Sequence, residues 1–414
     1  MSKIRSIAFY YPSYTLGGAE LLFCRMSLAL SKLYSVYLID YKDGLLSNFA
    51  MNNGINFIQY KEDDILNVDL LVLPPNLMMD LYDNYFFSDN LKVLFWSIHP
   101  LNIESVFPLH SLVVNKSYKS RRLFYKCLLP YSYDKFRKVV KIIDECGAYI
   151  HMDYTNYSSA VNLFNLELCK KYLPIPVIGL DNSIHKVRVN TKRRFCFAWL
   201  GRVADLKVNS ILHIYNDLVN LSKALNIDLH YVIVGNGPQL KDVISKCTST
   251  DRLLVEFIGE VAAADLDNFL TENVDVLIAM GTSVLEGGKL SIPTLIVDVF
   301  FDIVPSNYRY TWLYQTIDYS LGTYVYENFI SRDGVTLREV FEEADLTLEG
   351  IKCKEYTLNS HDIDLISKRL IDYSELSNLY GIHLRNLIDR NFTILFLMVR
   401  KVKLLLKKMY EKKH

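Results

Sequence analysis

Residues 195–201 read FCFAWLG, residues 209–225 read NSILHIYNDLVNLSKAL, and residues 229–235 read LHYVIVG. The two short segments are continuous apolar runs that stop at a glycine, and the longer one has helical spacing. Apolar runs without alternation suit strands buried on both faces, as in a parallel sheet with helices on either side. Moving towards the C-terminus, LLVEFIG (253–259), VDVLIAM (274–280) and PTLIVD (293–298) continue the series. Towards the N-terminus a second series appears: SIAFYY (6–11), the helical AELLFCRMSLALSKL (19–33), SVYLID (35–40), DLLVLPP (69–75), KVLFWSI (92–98) and CGAYIHM (146–152). Strands alternating with helical segments over both halves predict an α/β protein with two parallel sheets. A chain of 414 residues, half of them hydrophobic, is long enough for two cores. The polar segment 181–194, DNSIHKVRVNTKRR, reads as the linker. The domains expected are therefore 1–185 and 186–375, followed by a helical basic tail over 376–414.

Charged residues make up 22% of the chain, which excludes a disordered or fibrous class. The start, MSKIRSIAFYYP, reads as a first buried strand rather than a signal peptide, because its apolar part is short and runs into a Gly-rich turn. No stretch approaches the roughly 20 apolar residues of a membrane span. Seven scattered cysteines without a CxxC point to a reducing compartment and away from a metal site or disulfide framework. The net charge is zero but unevenly placed. Residues 116–141 hold nine Lys or Arg against Asp134, and 391–414 hold seven against Glu411, giving +8 and +6. Aromatic and aliphatic residues interleave with the cations in both stretches, which predicts docking on an anionic membrane surface. No nucleic-acid recognition motif is present, and nucleic acid is not expected as a partner.

In open parallel sheets, ligands bind outside the carboxyl ends of the strands. After the first strand comes YPSYTLGGAE (11–20), with Gly17 and Gly18 opening a helix. Asp40 ends the second strand at the distance of a ribose-binding acid in dinucleotide enzymes, but GxGxxG is absent. In the second half, Gly201 and Arg202 follow one strand, with Lys207 five residues on. Gly235, Asn236, Gly237 and Pro238 follow the next, and Ile258, Gly259, Glu260 and Val261 sit at the end of a third. Met280, Gly281, Thr282 and Ser283 lead into a helix carrying Glu286. Glycines at strand ends, hydroxyls and amides at a helix N-terminus, and two fixed cations are what a diphosphate requires. Asp265-Leu-Asp267 matches a DxD pattern, but it lies in a helical stretch and reads as solvated.

At these residues the chain resembles the GT-B glycosyltransferases, specifically the retaining enzymes of family 4, over almost its whole length. GGAE at 17–20, Gly201-Arg202 with Lys207, VGNGP at 234–238, the FIGEV strand end and Leu285-Glu286 followed by Ile292-Pro293 occur in the family's order. The resemblance implies two Rossmann-like domains with parallel sheets facing a cleft, the second holding a nucleotide sugar. It implies that Arg202 and Lys207 bind the donor diphosphate and that Gly281–Ser283 hold phosphate by backbone amides. Residues 235–238 and 258–261 would border the base, and Glu286 would accept from the ribose hydroxyls. Gly17, Gly18 and His99 would lie near the transferred sugar. One departure stands out. The family's first glutamate would fall at position 278, which is Ile278; the sugar would then be held by backbone at 280–282.

These implications predict a metal-independent hexosyltransferase without a cofactor, in the cytoplasm and peripheral on the inner face of the membrane. It would act on a carbohydrate or lipid-linked acceptor in bacterial surface polysaccharide synthesis. Two cations and a helix N-terminus would stabilise the leaving diphosphate in place of a divalent ion. A nucleotide-sugar epimerase of the same fold and a non-catalytic nucleotide-sugar-binding homologue remain as alternatives.

Overall fold

The computed structural model describes residues 4–14, 17–61, 65–179, 194–300, 304–305, 307–325 and 333–387. The expected linker (but for Arg194) and the basic stretch 391–414 lie outside these residues. The chain divides into two compact units, Met1–Pro176 with Ile363–His414, and Val177–Asp362.

In the first unit, β1 (Ser6–Tyr10), β2 (Ser35–Asp40), β3 (Asn56–Gln59), β4 (Leu70–Leu73), β5 (Lys92–Ser97) and β6 (Tyr149–His151) form one sheet in the order β3-β2-β1-β4-β5-β6. Every pairing is parallel. The unbroken apolar runs are explained by two cores, one on each face. Ala8, Tyr10, Leu71, Val93 and Phe95 enter one cluster, while their neighbours Ile7, Phe9, Leu70, Leu94 and Trp96 enter the other. Successive strand side chains point to opposite faces, so a strand covered by helices on both sides must be apolar throughout. The helices are α1 (Gly18–Leu30), α2 (Leu45–Asn53), α3 (Met78–Asn84), α4 (Tyr118–Leu128), α5 (Pro130–Glu145) and α6 (Tyr154–Phe164). Ser117 and Asp153 cap α4 and α6 by accepting from the amides of Ser120 and Asn156.

The second unit repeats the plan. Strands β7 (Phe195–Leu200), β8 (Leu229–Val234), β9 (Leu253–Gly259), β10 (Val276–Ala279), β11 (Thr294–Ile296) and β12 (Thr311–Trp312) are ordered β9-β8-β7-β10-β11-β12, with only β12 antiparallel. Its helices are α7 (Asp205–Leu225), α8 (Leu240–Lys246), α9 (Ala263–Asn273), α10 (Thr282–Lys289), α11 (Leu337–Glu342) and α12 (Leu346–His361). Both sheets thus run 3-2-1-4-5-6 in their own strand count. This is the doubly wound order, whose direction reverses between the first and fourth strands.

After α12 the chain returns to the first unit through α13 (Ile363–Leu376) and α14 (Gly381–Leu387). The sequence pattern groups 363–375 with the second half, but Ile366 and Leu370 of α13 pack in the first unit's core beside Leu22 and Phe23 of α1. Lys92 Nζ donates to the carbonyls of Ser374 (2.9 Å) and Glu375 (3.2 Å), the last turn of that helix. Among the described residues no helix is long and apolar enough to cross a membrane.

Candidate functional site

In the second unit the topological switch point lies between β7 and β10, and the residues after these two strands come together there. β7 ends at Leu200, and Gly201 follows with φ +144°, a conformation that side-chain-bearing residues rarely adopt. Lys207, in the first turn of α7, folds back over the strand end, its Nζ 5.9 Å from the centre of the Trp199 ring. A Cβ built on Gly201 would stand 3.4 Å from Lys207 Nζ and 3.4 Å from Ser283 Oγ. Gly201, Lys207 and Ser283, far apart in sequence, therefore line one small region.

The electrostatics there favour an anion. No carboxylate pairs with Lys207 or Arg202 among the described residues. Burial, and then the positive charge of Arg202, hold the Lys207 ammonium below the usual lysine pKa. Across the switch point β10 leads to buried Met280 and then to Gly281 at φ +62°, which caps α10 without a side chain. The Gly281 amide donates to Leu321 O at 2.7 Å, while those of Thr282 and Ser283 meet no acceptor among the described residues. Two cations that repel each other beside unsatisfied amides at a helix N-terminus would both be relieved by a phosphate.

Glu286, half-buried one turn into α10, is held in place. Its Oε2 lies 2.8 Å from Lys289 Nζ, and Lys289 also reaches Asp267 Oδ1 of α9 at 2.7 Å. Burial disfavours the Lys289 ammonium, but Glu286 and Asp267 outweigh it and its pKa is raised. Sequence reading missed Lys289, although Glu-x-x-Lys on one helix face is a visible signal. It also took Asp267 as solvated, whereas this carboxylate is an ion-pair partner; only Asp265 of that pair is exposed. Ile278 is fully buried inside β10, so no carboxylate occupies that position.

The glycines after β8 have a different duty. A Cβ on Gly235 would stand 2.2 Å from Gly201 O, and one on Gly237 would stand 2.1 Å from Val203 O. Their bareness lets the β8–α8 loop lie directly on the β7–α7 loop, where Val203 N donates to Asn236 O at 2.9 Å. Asn236 and Pro238 are exposed on this loop. Gly235 N donates to Gly259 O at 2.7 Å, which ties in the end of β9, with Ile258 and Val261 half-buried and Glu260 exposed.

In the first unit, Gly17 caps α1 in an extended conformation, and the Glu20 carboxylate lies against it. His99, after β5, is exposed; its Nδ1 accepts from the Leu101 amide at 3.1 Å, which puts the proton of the neutral ring on Nε2. Asp40 is consumed structurally: its two oxygens accept from the amides of Ser13, Tyr41, Leu46 and Ser47 at 2.7–3.2 Å. That settles it as the anchor of the β2–α2 turn rather than a ribose ligand.

No protein-family profile and no curated protein matches this chain. Solved structures do. HepE of Anabaena, in complex with UDP and glucose, superposes with a TM-score of 0.55 at 12% identity, over 91% of this chain and 100% of its own. A glycosyltransferase from Rickettsia africae gives 0.55 and 12% over 91% and 99%. WaaG, a glycosyltransferase involved in lipopolysaccharide biosynthesis, gives 0.50 and 12% over 88% and 98%. The fold is GT-B. At such identities the likeness is one of fold, and since each matched chain is covered almost end to end, the GT-B plan accounts for both units.

Proposed function

We propose that the protein is a glycosyltransferase that moves a hexose-type residue from a nucleotide-diphosphate sugar to a carbohydrate or lipid-linked acceptor, with retention. The observation that carries this reading is the convergence of Lys207 Nζ and Ser283 Oγ over Gly201, beside Arg202 and the free amides of α10. Glycosyl transfer builds positive character on the sugar and negative charge on the departing phosphate. Arg202, Lys207 and the amides of Thr282 and Ser283 would take up that negative charge, the part otherwise played by a divalent ion. Glu286, oriented by Lys289, would accept from the ribose hydroxyls. With Ile278 where the family's first glutamate would fall, the sugar would be held by backbone at 280–282. By the family resemblance, Gly17, Gly18 and His99 would lie near the transferred sugar.

The family resemblance implies a front-face route, and among the described residues of the second unit's switch point no pair of carboxylates offers a nucleophile for double displacement. The bond from anomeric carbon to phosphate oxygen breaks, the acceptor oxygen bonds to the same face, and the acceptor proton passes to the leaving phosphate. The likeness to HepE and WaaG supports a UDP-sugar donor and a place in bacterial surface polysaccharide synthesis. The test is product analysis of the full chain with a panel of nucleotide sugars and saccharide or lipid-linked acceptors. A new glycosidic bond with the donor's anomeric configuration is expected. An epimerised donor would make the protein an epimerase, and an unchanged donor that nevertheless binds would make it a non-catalytic binding protein.

A further inference from the structure

The first unit carries an exposed aromatic stack that the site in the second unit does not use. Tyr14, four residues past the end of β1, lies flat on Tyr41, the residue after β2, with ring centres 4.2 Å and planes 6° apart. Tyr14 is 68% exposed, so while Tyr41 covers one of its faces the other is open to solvent. The pair is held from beneath. Tyr41 meets Tyr60 edge-on at 4.9 Å, and the Tyr60 hydroxyl donates to the buried Asp80 carboxylate at 2.8 Å, which also accepts from the Tyr10 hydroxyl at 2.5 Å. The backbone is fixed as well. Asp40 Oδ1 accepts from the amides of Ser13 (2.7 Å) and Tyr41 (2.8 Å), so one oxygen ties together the residue before Tyr14 and Tyr41 itself. An exposed tyrosine ordinarily keeps its rotamer freedom. This one has given much of it up before any partner arrives, which lowers the cost of binding.

Charge decides what the open face can take. The face of an aromatic ring is negative and attracts weakly positive C–H groups or a second π-system. A nucleotide would bring phosphate with its base, and phosphate needs cations or free helix amides. The amides of Leu46 and Ser47, in the first turn of α2, are already taken by Asp40 Oδ2 at 2.8 and 3.2 Å. The first turn of α1 holds the buried Glu20 carboxylate against Gly17. Burial, and then the charge of Glu20, push the Tyr11 hydroxyl up to about 12. Exposed Asp43 follows Tyr41 by two residues. Glu20, Asp40, Asp43 and Asp80 thus stand against Lys42 and Lys61, an acidic balance that disfavours phosphate. A neutral ring with an apolar C–H face and hydroxyls at its rim meets neither objection.

We propose that the outer face of Tyr14 is a stacking platform for one ring of a neutral saccharide, and that this saccharide is the acceptor. The C–H groups of one sugar face lie on the Tyr14 ring, Tyr41 backs that ring, and Asp40 sets the distance between the two loops. That the saccharide is an acceptor rests on the transferase reading. That a saccharide binds there does not, because the platform lies wholly in the first unit.

The experiment is saturation-transfer difference NMR on the full chain, without nucleotide, using the methyl glycosides of glucose, galactose, mannose, rhamnose and N-acetylglucosamine. At least one should receive saturation chiefly at the C–H protons of one ring face. Tyr14→Ala should weaken that glycoside by roughly threefold to tenfold. Tyr14→Phe should keep it, since the face and not the hydroxyl makes the contact. Replacing Tyr154 of α6, another exposed tyrosine, by Ala should leave it unchanged. Saturation of none of the glycosides overturns the proposal. So does unchanged binding in Tyr14→Ala, equal loss in Tyr154→Ala, or displacement of the glycoside by uridine, which would make the stack a nucleobase platform. Transfer by the native chain with acceptor KM unmoved in Tyr14→Ala would remove the platform and leave the transferase reading standing. Glycoside binding lost in Tyr14→Ala, in a chain that transfers no sugar, would do the reverse.

Discussion

Lys207 and Ser283, brought from the starts of two different helices, each come within 3.4 Å of the Cβ position that Gly201 lacks. The site depends on that missing atom as much as on the groups present. Any side chain at 201 would adopt φ +144° under strain, with its Cβ in contact with both groups.

The paired cations give a first prediction. Hydrogen bonds to charged groups are worth about 1.5–3 kcal/mol, so Arg202→Ala and Lys207→Ala should each lower kcat/KM by about tenfold to a hundredfold or more. The double variant should lose less than the product of the two, because both serve one anion. Lys207 already titrates below the usual lysine range, so donor affinity should decline as pH rises through that lowered pKa. Because Arg202 contributes to the lowering, Arg202→Ala should move the decline to higher pH. Calorimetric donor titrations across alkaline pH check both points; a pH profile identical in Arg202→Ala would show that the two cations do not sense each other.

Glu286 and Lys289 give a second. Contacts to ribose hydroxyls are equal in the ground and transition states, so Glu286→Gln should raise donor KM with little change in kcat. Lys289→Met leaves Glu286 and Asp267 without their shared cation and should cost about 1.5–3 kcal/mol of stability. Steady-state kinetics and denaturant unfolding separate the two effects. A fall in kcat alone for Glu286→Gln would remove its ribose role.

His151 gives a third. It is fully buried, neither ring nitrogen has a hydrogen-bond partner among the described residues, and burial pushes its pKa down to about 3. The unfolded chain binds this proton near pH 6.5. Between there and about pH 3 the unfolded state therefore holds more protons, and stability is lost as pH falls, by up to about 1.4 kcal/mol per pH unit. Asp153, raised by burial to about 6, works the other way from about 6 down to its unfolded value near 4, since its folded form keeps the proton. His151→Phe should flatten the acid limb of the stability curve and move acid unfolding to lower pH. An unchanged slope would mean that His151 does not titrate with unfolding.

Arg121 gives the fourth. Its ion pair with Glu104 is almost wholly buried, and Tyr125 Oη donates to the same carboxylate at 2.8 Å. Removing one partner of a buried pair leaves a stranded charge, so Arg121→Met should destabilise by about 3–5 kcal/mol. Replacing the exposed Lys119 by Met should change stability by less than about 0.5 kcal/mol. Equal effects in urea unfolding would refute this division of the basic segment.

The strand ends were legible in sequence because each is local: an apolar run, a glycine, then a helix start. Gly201, Lys207 and Ser283 could be picked out that way, although their meeting over one point required the strand order. The duty of Gly235 was not legible, since only the contact with Gly201 O shows that two loops need its bareness. Nor was the fate of the arginines. Burial of Arg121 depends on α4 packing over Glu104, a tertiary fact with no local signal. For the same reason α13 was grouped with the wrong neighbours: its amphipathic pattern says that it packs, but not on which core.

The return of α13 also sets an order of events during synthesis. The second unit is one unbroken stretch, Val177–Asp362, and can close its core once that stretch has left the ribosome. The first unit is translated earlier but finishes later, because Ile366 and Leu370 complete a core begun at Ile7 and Phe9. Until they emerge, the face of α1 that carries Leu22 and Phe23 stays partly uncovered. The nascent chain must therefore carry an exposed apolar surface through the making of the whole second unit.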